Sequence, residues 1–398
     1  MEVKYEHIAG NSRHYYLALA AFAAVGLAGV LCTFWVLGQG LWVTGMYNRV
    51  PWGLQIVMAI YYIGLSAGSL VISGLYGVFG KSEYKPFART AVYLGMLFMI
   101  AGLLSILTDQ GRMDRVFVQP FVHFNLLSLF SINPMLYISY ILICIAYLYA
   151  LFRDKKKLTR VVATLAFAWA FGVHSGTGAI FGFGPRTLYD SPLLPASFVV
   201  AAMASGTGLM IALLVALFRL TRRHLDDELI FGLGRLLALF VLVVLYFLAV
   251  ENLYLVYQVE WRAAALYYLF GGFHSVIFWV GLIGLGCAVP LFLLYYPRTS
   301  RSIPWVVTAG CLVVFGVLCE RYVIVIPGLT RPPEIFPGME VSGPGLIEGV
   351  ASYAPTLVEF CQALGVLGII GFLFLAGLKV LKLLPAEARI AKQAGPAS

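Results

Sequence analysis

Apolar stretches of roughly twenty residues or more recur along the whole chain, each long enough to cross about 30 Å of hydrocarbon as a helix. Nothing else constrains the fold as strongly, because a backbone placed in lipid must satisfy its own hydrogen bonds inside a helix or a closed barrel. A soluble alternative fails on charge: only 11% of the 398 residues are Asp, Glu, Lys or Arg, against 61% hydrophobic. The reading is an all-α integral membrane protein with about ten transmembrane helices, arranged as two four-helix bundles plus two additional helices.

The helices are read at 14–38, 52–79, 88–110, 131–152, 158–180, 195–219, 231–254, 264–295, 303–327 and 358–383, in a single polytopic domain. Turn chemistry separates them at Asn48 to Pro51, Gly80 to Pro86, Gly184-Pro185, Pro297 to Pro304 and Pro327 to Pro355. The last interval, an extracytoplasmic loop over 328–357, is too long for a simple connector and is a candidate docking segment or lid, with Pro332, Pro333 and Pro337 in it. The first thirteen residues are polar and the following apolar run is too long for a signal peptide, so it is expected to stay as the first span.

Basic residues orient the bundle. Every lysine and most arginines fall in the terminal segments and in the loops after the second, fourth, sixth and eighth spans. The opposite side has only Arg49, Arg112, Arg115, Arg186, Arg262 and Arg331, while Arg321 lies within a span. The positive-inside rule then puts both termini in the cytoplasm, in a prokaryotic cytoplasmic membrane. The net charge of +9 is thereby explained as topology, with no nucleic-acid partner needed.

Ionisable groups inside a bilayer are costly and default to functional candidates. Those in the spans are Asp109, His174, Glu251, His274, Glu320, Arg321 and Glu359, and the topology places all of them toward the extracytoplasmic side. Structural readings stand beside the functional one: an ion pair for Glu320 and Arg321, helix-end anchoring for Asp109 and Glu251, an interhelical hydrogen bond for His274. His174, between Gly172 and Gly176, has open backbone beside it, which favours a ligand contact. Small residues such as Gly64, Gly68, Gly206, Gly208, Gly365 and Gly368 suit close helix packing, and the second to fifth helices are read as a weak parallel repeat of the sixth to ninth. The cysteines, Cys32, Cys144, Cys287, Cys311, Cys319 and Cys361, form no C-x-x-C pair and read as ordinary buried thiols, with no iron–sulfur cluster in this chain.

VPWGLQIVMAIYYIGLSAGSL (50–70), TDQGR (108–112) and TGAIFGFGPRTLYDSPLLPASFVVAAMASGTG (177–208) resemble, in order and spacing, the NrfD/polysulfide reductase membrane-subunit family. FWVGLIGLGCAVPLFLL (278–294), ERYVIVIPGL (320–329) and YAPTLVEF (353–360) resemble its longer ten-helix members, nearest to the DsrP-like subunits of sulfur-metabolising redox complexes. The resemblance implies a subunit that binds menaquinone or another quinone near the outer face, holds no haem or cluster, and exchanges electrons with a ferredoxin-like multi-cluster iron–sulfur subunit docked there, within a complex of further redox subunits. It implies a quinone pocket from Trp52, Gly53 and Gln55, closed by Asp109 and Arg112 and lined by His174 to Thr177, with His174 and Asp109 exchanging protons. Many members carry a tyrosine directly before the T-G pair; here that position is Gly176, and His174 is the candidate substitute. Glu251, His274, Glu320 and Arg321, with Tyr61, Tyr62 and Ser66 near mid-membrane, are the candidate proton relay. Two alternatives remain open: a haem-b cytochrome ligated by His174 and His274, and a secondary transporter.

Overall fold

The computed structural model describes residues 3–116, 118, 122–184, 186, 188–331 and 351–388, with only the backbone described at 67. Ten helices among these are long and apolar enough to cross a membrane: α1 (Arg13–Gln39), α2 (Leu54–Gly77), α3 (Ala88–Asp109), α4 (Leu129–Phe152), α5 (Lys156–Gly182), α6 (Leu194–Leu220), α7 (Asp227–Tyr257), α8 (Gly272–Tyr295), α9 (Ile303–Thr330) and α10 (Leu357–Val380). The protein is therefore a multi-pass membrane protein. Local chemistry sets several starts. Ser12 caps α1 by accepting from the Tyr15 amide, Asp226 caps α7 from the Glu228 amide, and Thr356 and Glu359 close a reciprocal capping box on α10.

Helices α2 to α5 pack in a ring, α2 on α3, α3 on α4, α4 on α5 and α5 on α2. Helices α6 to α9 repeat that ring, and the antiparallel pair α1 and α10 lies outside, against α2 and α3. Two four-helix bundles plus two further helices are thus the observed architecture. The first helices of the two rings cross backbone to backbone, since a Cβ on Gly68 would lie 2.6 Å from the Gly206 Cα. α1 and α10 meet the same way, a Cβ on Gly29 falling 3.2 Å from the Gly365 amide nitrogen. In lipid, where apolar surface gains little by leaving the solvent, such close contact is what holds helices together.

The stretch expected to be one helix over 264–295 is two. A short helix, Val259–Phe270, lies against α7; the chain then turns at Gly271 and Gly272 (φ +63°) and enters α8. Only glycine adopts that φ without strain, and Trp279 Nε1 fastens the turn by donating to the Leu269 carbonyl at 2.8 Å. Below it, α8 widens to π geometry over Ile277–Ala288, where Gly286 abuts the Gly316 backbone.

Both described ends of the chain lie on one face. There β1 (Tyr5–Glu6) pairs antiparallel with β3 (Leu384–Pro385), and β2 (His224–Leu225), after α6, pairs parallel with β4 (Glu387–Ala388). Arg223 clamps this terminal face by donating to the carbonyls of Leu384, Pro385 and His7 at 3.1, 2.7 and 3.1 Å. The opposite face holds the α1–α2, α3–α4 and α5–α6 connections and the start of α10.

Candidate functional site

A cavity of about 510 Å³ opens inside the first ring, near the face opposite the termini. That volume suits a small organic molecule, for which sites of about 300–1,000 Å³ are usual. Its apolar wall comes from Trp52, Ile56 and Ile60 with Phe130, Ile180 and Phe181. Trp52 packs edge-on against Phe181 (5.8 Å between centroids) and tilted against Phe130 (6.1 Å), which fixes the indole at the rim. At the inner end stand Asn133 and Tyr137 of α4 and Thr177 of α5. Tyr137 and Thr177 share a hydrogen bond of 2.9 Å, and Asn133 Nδ2 donates to the Leu129 and Gly176 carbonyls at 2.9 and 3.0 Å. Asn133 Oδ1 is buried and has no hydrogen-bond partner among the described residues. At the mouth lie Gln110, Arg112, Arg115 and His123. Arg112 binds Asp114 through two bonds of 3.0 and 2.7 Å, which hold the Asp114 carboxyl below its ordinary range.

Of the residues expected at a pocket, Trp52, Arg112 and Thr177 line this cavity, whereas Gly53, Gln55, Asp109, His174 and Gly176 do not. The reasons are local. Gln55 turns to α10, donating to the Glu359 carbonyl at 2.8 Å. Gly53 lies against Glu359 and Tyr353, and its amide is directed at the buried Asp109 carboxylate, whose Oδ1 has no hydrogen-bond partner. Gly176 sits behind Asn133: a Cβ there would meet Asn133 Oδ1 at 2.6 Å, so the bare position makes room for the amide. His174, one turn before Thr177, faces the α2–α6 seam, where it shares a small void with Gly68 and Ala202. Its Nδ1 pairs with the Ala170 carbonyl at 2.9 Å, and its buried Nε2, near the Ile63 and Gly64 backbone, makes no hydrogen bond of ordinary geometry among the described residues.

Glu359, named above only among the ionisable groups, is a junction. Its carboxylate accepts from the Gly45, Leu54 and Thr356 amides and from the Tyr353 and Thr356 hydroxyls, the Tyr353 contact being 2.6 Å. Burial, and after it the bond to Glu359, raises the Tyr353 phenol well above its ordinary value, so it stays a donor. This links the α10 start to the α2 start beside Trp52. Most of the expected docking segment, residues 332–350 with Pro332, Pro333 and Pro337, lies outside the described residues.

The second ring buries charge. Glu320 and Arg321 are consecutive on α9 and so cannot face each other squarely; their closest approach is 3.9 Å. Among the described residues, both Glu320 oxygens and all three Arg321 nitrogens lack hydrogen-bond partners. The guanidinium instead lies 3.9 Å over the Phe198 ring, and Glu251 of α7 is within electrostatic reach of both charges. Phe198 stacks on Phe181 at 5.8 Å, so an aromatic pair separates Arg321 from the cavity wall. His274 lies apart, between the rings of Tyr267 and Tyr322. The mid-membrane hydroxyls diverge: Ser66 donates to the Gly95 carbonyl at 2.6 Å and Tyr62 to that of Ala363 at 3.4 Å, while Tyr61 lies near Cys319.

Asn133, Tyr137 and the mouth residues Gln110, Arg115 and His123 were absent from the sequence-based expectation. A scan for ionisable groups passes over a neutral amide, although an Asn-Pro pair inside an apolar span was a readable signal.

Fold and cavity together define a class: a polytopic membrane protein built as paired four-helix rings, one of which encloses a cavity. A family model described as polysulphide reductase, NrfD, matches residues 42–333, and the chain belongs to that family. It is 39% identical over 392 residues to the Hdr-like menaquinol oxidoreductase integral membrane subunit of Archaeoglobus fulgidus, covering 98% of each chain. It is similar to a putative dimethyl sulfoxide reductase membrane subunit of Halobacterium salinarum (32%, covering 92% of this chain and 93% of that one). It also resembles a selenate reductase subunit of Mesobacillus selenatarsenatis (29%, covering 90% and 92%).

Proposed function

We propose that this chain is the quinone-interacting membrane subunit of a multi-subunit redox complex, with menaquinol or menaquinone bound in the first-ring cavity. The observation that carries the reading is the 510 Å³ cavity itself, aromatic at the rim and polar at its inner end. The Archaeoglobus relative, matched over almost its whole length, is named a menaquinol oxidoreductase subunit, and the other two are named as subunits of reductases. A quinone supplies two-electron, two-proton chemistry. The lysine distribution supports a cavity face directed out of the cytoplasm, where an iron–sulfur subunit docks and exchanges the electrons.

The chain's own residues divide the work. Trp52, Phe130 and Phe181 hold the ring plane, while Tyr137 stands at the inner end toward a quinone oxygen. His174 and Asp109, buried titratable groups on the cavity helices α5 and α3, take or give protons behind its wall. Glu251, Glu320 and Arg321 form a second, deeper proton-holding cluster across the Phe181–Phe198 pair. A haem between His174 and His274 is disfavoured by their separate surroundings.

The test uses the purified complex turning over with menaquinol. Trp52→Ala is expected to raise KM about tenfold by removing an aromatic wall. His174→Ala is expected to lower kcat strongly, with KM changed less than about twofold, since it does not line the cavity. Wild-type turnover in both variants contradicts the assignment.

A further inference from the structure

Outside both rings, α1 rests along α10, and glycines let the two backbones touch. A Cβ on Gly368 would lie 2.9 Å from the Gly26 Cα, and one on Gly29 would lie 3.1 Å from the Cys361 carbonyl oxygen. Nearer the outer end, Gln362 Nε2 donates to Thr33 Oγ1 at 3.3 Å. Residue numbers rise on α1 as they fall on α10, and this antiparallel register sets Cys32 opposite Cys361. The Cys32 thiol is in hydrogen-bonding contact with the Cys361 thiol. We propose that Cys32 and Cys361 are a covalent modification site, a dithiol in the α1–α10 seam that a small, lipid-soluble disulfide converts to an internal disulfide.

A disulfide needs Cα atoms about 4.4–6.8 Å apart, closer than most residue pairs come on helices whose axes lie about 8–10 Å apart. The glycine crossing brings these two helices nearer than that, because neither backbone has a side chain where they meet. Both thiols are half-buried, on a helix pair whose α1 member is mostly uncovered by the rest of the chain, so an apolar reagent reaches them from the lipid. Cys144, Cys287 and Cys319, in contrast, are buried within the rings, and Cys311 is exposed on α9.

The chemistry is thiol–disulfide exchange. One cysteine thiolate attacks a reagent sulfur, which forms a mixed disulfide and releases one reagent thiol that carries away the proton. The second cysteine thiolate attacks the cysteine sulfur of that mixed disulfide. The chain-to-reagent bond breaks, and the second reagent thiol leaves with the second proton. Two cysteine thiols are oxidised and one reagent disulfide is reduced to two thiols, with no other reactant. Cys32 lies seven residues before the end of α1 and Cys361 four residues after the start of α10. At 1.5 Å per residue the pair is roughly 6–11 Å below the outer helix ends, within reach of a reagent dissolved in that leaflet. Closure fastens α10 to α1 two residues beyond Glu359, whose carboxylate accepts from the Gly45 and Leu54 amides, so the new bond holds the helix end that anchors the start of α2.

The experiment treats the reduced full chain, with its co-purifying subunits in lipid nanodiscs, with dithiodipyridine. Remaining thiols are then alkylated, and the chain is digested without reductant and mapped by mass spectrometry. The expected product is a peptide containing Cys32 joined to one containing Cys361, with no pyridyl label on either. Cys311, exposed and away from this pair, should keep its label as a mixed disulfide and serves as the internal control. In Cys32→Ser, Cys361 should retain the pyridyl label, and in Cys361→Ser the label should stay on Cys32. Wild-type chain in which Cys32 and Cys361 each keep a label, or in which both are recovered alkylated while Cys311 is labelled, overturns the proposal. That comparison is made within one wild-type chain, so it stands even where a variant fails to assemble.

Discussion

The first ring encloses a cavity whose buried polar groups are mostly neutral, whereas the second closes on two carboxylates and a guanidinium. Both are four-helix rings packed in the same order and joined where Gly68 meets Gly206. Neutral hydrogen-bonding groups can wait in an open cavity that a ligand completes. Uncompensated charges in a closed ring persist only if they balance one another. The open cavity and the buried charges thus lie in different rings, with Phe181 and Phe198 at the boundary.

The largest effect should come from breaking the second ring's balance. Arg321→Ala leaves Glu251 and Glu320 without a cation and should cost about 3–5 kcal/mol, read as lost assembly or a lower Tm. Replacing the three together, as Glu251→Gln, Glu320→Gln and Arg321→Met, should restore the Tm. A single variant as stable as wild type would show that the charges are not coupled. At the seam, Gly206→Leu forces a side chain into the Gly68 backbone, and a cost of at least about 1–3 kcal/mol is expected from detergent melts. Tolerance there would mean the rings do not rely on that crossing. The smallest effect belongs to the mouth: Arg112→Ala breaks an exposed pair and should leave the melt unchanged.

The spans were legible because lipid demands long apolar runs, and Gly68 and Gly206 were readable as small residues suited to close packing, though not as partners of one another. The break at Gly271 was not, because two glycines in an apolar run look the same whether they pack or turn. At the site, Trp52 and Thr177 could be placed from motif resemblance. His174 and Gln55 sit at the expected depth but point to other helices, and a single residue's step around a helix, about 100°, decides that. Asn133 escaped because a neutral amide adds no charge to an apolar span, and its bonds to the Leu129 and Gly176 carbonyls are visible only in the folded chain.

Photolabelling of the complex in native-like lipid with an azido-menaquinone, mapped by peptide mass spectrometry, asks where the ligand binds. Label confined to α2, α4 and α5 around Trp52, Asn133 and Phe181, and suppressed by excess menaquinol, is the expected outcome. Label concentrated on α6 to α9, or spread over the lipid-facing surface without competition, would contradict the first-ring site.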